Sequence, residues 1–171
     1  MEKKHSNPLM IIAKTILLIL TAIYPFFMVI MSGAGLVYNS DSYGGKLTRA
    51  GIILIVSGII MTTGAILCMF RKNIPNIVAL ICSVGGFALC IMMLRLICFH
   101  DDAAGWTDKY AMTPISDMYK ARIVPSVAPA IIATAISLIQ IFSYDASEER
   151  RRKRKLREER ENAPAPKIID D

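Results

Sequence analysis

The long apolar runs of this sequence contain neither aspartate nor glutamate. They extend from Thr15 to Val37, Ala50 to Phe70, Ile74 to about Phe99, and Ile123 to Phe142. Proton-coupled pumps and exporters use an intramembrane carboxylate to exchange protons, and no such group is present. The same lack removes the facing aspartates that an intramembrane protease needs. Histidine is scarce, with only His5 and His100. His100 precedes Asp101 and Asp102, but neighbours on a chain point apart and make a poor ligand set. The four cysteines, Cys68, Cys82, Cys90 and Cys98, all lie in apolar runs without a CxxC pair. They read as small packing residues, with no disulfide framework. No Ser/His/Asp or Cys/His set stands at membrane depth. The sequence therefore offers no catalytic residues, no metal site and no cofactor motif, and the chain is expected not to be an enzyme.

What is present is apolar length. Of 171 residues, 54% are hydrophobic, well above the share in a soluble domain. A helix needs about 20 apolar residues to cross a bilayer, and each of the four runs reaches that length. None alternates like a barrel strand, so helix is the conformation that satisfies the backbone inside hydrocarbon. The expected fold is an all-α integral membrane protein, a four-transmembrane-helix bundle. A short outer interfacial helix and a cytoplasmic basic helical tail complete it. "YNSDSYGGKLTR", Tyr38 to Arg49, reads as a turn-rich loop, and Arg71 to Asn73 as the tight link of a hairpin. His100 to Arg122 forms the longest connection, and no repeat of fixed period is visible.

Charge placement gives an orientation. Lys3, Lys4, Lys14, Arg71, Lys72 and the basic residues between Arg150 and Arg160 fall on one side; Lys46, Arg49, Lys109, Lys120 and Arg122 fall on the other. By the positive-inside rule both termini are cytoplasmic, with residues 1–14 as an N-terminal cytoplasmic segment in a cell membrane. A rival reading takes "MEKK", the first apolar run and "SGA" ending at Ala34 as a cleaved signal peptide. The net charge of +6 is read as orientation, with no nucleic-acid partner.

Arg95 is the one charge within the four runs. It stands about one turn below the outer end of the third run, where its cost is smaller than at mid-bilayer. It either snorkels to lipid phosphate, bridges to a carboxylate such as Asp41, Asp101, Asp102, Asp108 or Asp117, or contacts a solute. Pro125 and Pro129, four apart at the start of the fourth run, predict a kink or opening there. Before them, "TPISDMYKAR" reads as a short helix with Thr113 as N-cap and Pro114 first. Ile115, Met118 and Tyr119 share a face, and Trp106 and Tyr110 lie nearby, which places this segment on the membrane surface.

Small residues mark contact seams: Gly51, Gly58, Thr62 and Ala65; Ala79, Cys82, Ser83, Gly86 and Cys90; Pro129, Ala133 and Ser137. These seams suit contacts within one bundle or between copies. Beyond the fourth run, Arg150, Arg151, Arg152, Lys153, Arg154, Lys155 and Arg157 form a basic block. Spacing pairs Glu148 with Arg152, Glu149 with Lys153, and Arg154 with Glu158 along a charged helix over 144–162. "APAP" stops that helix, leaving residues 163–171 as a disordered tail. The basic block is expected to bind anionic headgroups at the cytoplasmic face or a protein partner. The expected function is that of a non-catalytic multipass protein, an accessory subunit or scaffold of a membrane complex. The alternative is a small oligomeric transporter or channel, supported by the proline-broken start of the fourth run, by Arg95, and by Thr62, Thr63 and Ser83 if they converge on one cavity.

Overall fold

The computed structural model describes residues 8–70, 72–104 and 115–161. Four helical runs within them are long and apolar enough to cross a membrane: Pro8–Tyr38, Gly44–Leu67, Asn73–Asp101 and Ser116–Tyr144. No strand occurs among the described residues. The first run is already helical at Pro8, ahead of the apolar stretch proper. It consists of α1 (Pro8–Thr21), a π-helical stretch (Ala22–Val29) and α2 (Ile30–Tyr38). Pro25 lies inside the π-helical stretch. Its ring crowds the carbonyl four residues back and it lacks a donor, so the helix widens locally instead of breaking.

The turn-rich loop expected from Tyr38 to Arg49 is far shorter. Asn39 ends α2, and both its backbone N–H and its side-chain amide donate to the Gly35 carbonyl. α3 (Ser40–Leu67) follows at once, interrupted only at Gly44, whose φ of 76° suits glycine. Helix absorbs the other polar residues because Asp41 stands in a first turn, where a negative charge favours the helix dipole. α3 turns into α4 (Asn73–Ala104) as a hairpin, and the two share the largest interface in the fold. α5 (Ile115–Ile123), one 3-10 turn (Val124–Ser126) and α6 (Val127–Glu161) complete the chain.

The helices close into a ring. α2 packs on α3, α3 on α4, α4 on α6, and α6 back on α1. Leu17, Leu36, Leu54, Ile97 and Ile123 are fully buried inside, while Phe26, Phe27, Ile59, Ile81 and Ile131 point outward. That outward apolar band is what a lipid solvent requires. Lipid gives no hydrophobic drive between helices, so close packing must hold them. Gly33 and Gly51 do this for α2 and α3: a Cβ on Gly33 would stand 2.5 Å from the Gly51 carbonyl oxygen, and one on Gly51 would stand 2.7 Å from that of Gly33. The "SGA" segment of the cleavage reading thus lies in a helix packed against α3. Gly58 meets the Pro25 carbonyl, and Gly86 meets Met61 and Ser57. The seams named from sequence therefore serve contacts within one chain. Buried Cys90 sits 3.0 Å from Ser57 Oγ across the α3–α4 interface.

Candidate functional site

Both described chain ends leave the bundle at one end, called here the tail end; the α2–α3 turn and α5 mark the loop end. At the tail end, the turn that follows α3 presents the carbonyls of Cys68, Met69, Phe70 and Lys72. Three other helices supply side-chain donors to these four carbonyls. Gln140 Nε2 of α6 donates to the Cys68 oxygen at 3.1 Å. Lys14 Nζ of α1 donates to the Met69 oxygen at 3.1 Å. Asn76 Nδ2 of α4 donates to the Phe70 oxygen at 3.0 Å and to the Lys72 oxygen at 2.6 Å. Cys68 Sγ adds a contact of 3.0 Å with Ser137 Oγ. These donors face backbone oxygens, so the arrangement fastens four helices together. Gln140 was visible in the sequence as the lone amide of its run; Lys14 and Asn76 stood at run boundaries, where a polar residue carries little signal.

At the loop end, Asp101 is only 3% exposed. Its Oδ2 accepts the Ser116 backbone N–H at 2.8 Å. Asp101 thus caps α5 from the end of α4, a tertiary cap that local sequence cannot announce. Thr113, the cap read from sequence, lies outside the described residues, as do Trp106, Tyr110 and Pro114. Asp101 makes no bridge to Arg95. The face of α5 that holds Ser116, Tyr119 and Ile123 is buried against the bundle, and the Tyr119 hydroxyl donates to the Ser32 carbonyl at 3.5 Å. Asp117 pairs instead with Lys120 on the exposed side, at 2.9 Å.

Where the sequence predicts a kink or opening, the helix is interrupted by the 3-10 turn Val124–Ser126 between α5 and α6. Pro125 stands in the 3-10 turn and Pro129 in the first turn of α6, where a missing N–H costs no helical hydrogen bond. Pro129 is buried and helps line a small void at the bundle centre with Thr21, Pro25, Met61 and Ser83. That void has no room for a water molecule. The three hydroxyls named for a transport path do not converge there. Thr62 and Thr63 donate to the carbonyls of Gly58 and Ile59 on their own helix, at 2.8 Å and 2.9 Å. Ser83 alone of the three lines the void.

Arg95 is exposed on the outside of the ring and makes no hydrogen bond or ion pair with the described residues. It lines an open groove of about 730 Å³ between α4 and α6. Beyond the bundle, α6 continues without interruption to Glu161. The side chains of Arg151, Arg152, Lys153, Arg154, Lys155 and Arg157 are all exposed. Arg154 and Glu158 form no ion pair despite their spacing, in line with the small gain available to exposed pairs. Residues 162–171, including the segment read as disordered, lie outside the described residues.

No protein family, curated protein or solved structure matches the chain, so function is argued from its geometry.

Proposed function

We propose that this protein is a non-catalytic multipass component of the cell membrane, an accessory subunit or scaffold of a membrane complex. Both termini face the cytoplasm in this reading, and α5 stands at the outer headgroup level. The observation that carries it is the continuity of α6. One helix, Val127–Glu161, is both a wall of the bundle and the carrier of the basic block. Ser137 and Gln140 tie that helix to the end of α3. The basic block therefore leaves the membrane on a fixed rod. Arg151, Arg154, Lys155 and Glu158 fall on one face of it by their three- and four-residue spacing. A near-surface basic residue gains about 1 kcal/mol from anionic headgroups, so the start of the block rests on lipid. The mixed signs further along suit a protein surface better than a uniformly anionic one.

The test is mild-detergent affinity purification of the tagged protein from its native host at native expression. A stoichiometric partner is expected, and it should be lost when Arg151, Arg154 and Lys155 are changed to Gln. A homo-oligomer without a partner would favour the small transporter or channel instead.

A further inference from the structure

The groove between α4 and α6 has a definite depth in the membrane. Phe87 stands at the midpoint of the span Asn73–Asp101. Arg95 is then about 12 Å toward the loop end, by the helical rise per residue. The hydrocarbon half-thickness is about 15 Å, so Arg95 lies just inside the boundary of that leaflet. The groove follows α4 from Arg95 down to Val84, a length of about 16 Å. Along α6 it runs over the same length, from Val127 to Leu138. It therefore begins at one headgroup level and ends near the bilayer centre.

Its chemistry is graded in the same direction. Val84, Ala88, Ile91, Met92 and Arg95 lie on one stripe of α4 by helical spacing. Helical side chains lean toward the N-terminus, which for α4 is the membrane centre. The long side chain has the reach to bring its guanidinium back to the headgroup level against that tilt. Ala88, Ala130 and Ala135 leave the hollow between the two helices. Among the described residues, Arg95 is the one charged residue of the lining, and no carboxylate neutralises it.

We propose that this groove holds one anionic phospholipid of the leaflet at the loop end. Its phosphate sits on Arg95 and one acyl chain lies along α4 and α6. Length and charge choose this occupant over a partner helix. A transmembrane helix would need a contact surface through both leaflets, whereas the groove serves one and places its single charge at the headgroup. The site is separate from the basic block, which leaves the bundle at the tail end, and it requires no protein partner.

The experiment uses the full chain in phosphatidylcholine vesicles at high salt, where exposed tail charges are screened. Trace chain-spin-labelled phosphatidylglycerol or phosphatidylcholine is added, and the immobilised fraction of each probe is read. The wild-type protein should immobilise the anionic probe about fivefold more than the zwitterionic one, equivalent to roughly 1 kcal/mol. Arg95→Leu should equalise the two probes, and Arg95→Lys should keep part of the preference. Ala135→Phe, which fills the hollow, should release both. Arg151→Gln, Arg152→Gln and Arg154→Gln together should leave the preference unchanged.

Equal immobilisation of both probes by the wild-type protein overturns the proposal, and this arm needs no variant to fold. A preference that survives Arg95→Leu, or one lost with the tail charges, overturns it too. So does a wild-type cross-linked dimer that excludes both probes, since a second copy would then cover the groove.

Discussion

Single residues decide how closely these helices approach. Gly33 and Gly51 each face the other's carbonyl at a distance no Cβ can share. Gly33→Ala must push α2 from α3, at a cost of about 1–3 kcal/mol for overpacking. In a detergent melt that corresponds to a loss of roughly 2–12 °C, by the scaling for chains of this size. Gly85 provides the control. Nothing stands within 4 Å of its Cβ position, so Gly85→Ala should leave the melting temperature unchanged or raise it by the gain in helix propensity, up to about 1 kcal/mol. Asp101 acts at the same scale. Asp101→Ala strips the Ser116 N–H of its partner and should cost about 1–2 kcal/mol, the usual loss for a cap. Asp101→Asn keeps an acceptor at that position and should recover part of the loss. Equal melting of the wild type and Asp101→Ala would remove the cap from the account.

Between elements, the fastening of α3 matters most. Asn76 donates to two carbonyls and is 1% exposed. Asn76→Ala leaves the Phe70 carbonyl without its donor and the Lys72 carbonyl with the backbone N–H of residue 76 alone, with an expected loss of about 1–3 kcal/mol. Lys14→Ala removes the bond to the Met69 oxygen from a less buried site and should disturb the start of α4 less. Hydrogen exchange at the start of α4 should rise in the first variant more than in the second. Pro125→Ala and Pro129→Ala should both stay within about 1 kcal/mol of the wild type, because neither proline displaces a helical hydrogen bond. The four long helices and the small-residue seams were legible in the sequence, since lipid imposes length and close packing on any chain that crosses it. The role of Asp101 was not, because its partner is fifteen positions away and a cap supplied by another helix has no local pattern. The short α2–α3 turn was misread for a related reason. Ser, Asp and Gly mark a loop by composition, yet one left-handed glycine was enough to turn the chain and let helix resume.

At the level of the whole molecule, the described helices close into a ring, and the void among Thr21, Met61 and Ser83 holds no water-sized space. A single copy should therefore show no solute flux in sealed vesicles, and Thr62→Val with Ser83→Ala should change nothing in that assay. Flux from a monodisperse monomer would refute this reading of the centre. The apolar surface lies outside, so the molecule meets its surroundings through its flanks and through the far end of α6. That far end has a mechanical consequence. The fastening at Gln140 acts as a pivot, and the rod beyond it to Glu161 is about 31 Å long. Helices tilt when bilayer thickness changes. A tilt of about 10° at the pivot would swing the tip sideways by roughly 5 Å, on the helical rise alone. Paired distance labels on α3 and near Leu156 should record that swing between thin and thick bilayers, and an unchanged distance would mean the rod bends at the membrane surface. A stiff α6 makes the tail a lever, and the thickness of the surrounding lipid becomes a position that a neighbour at the tail end can feel.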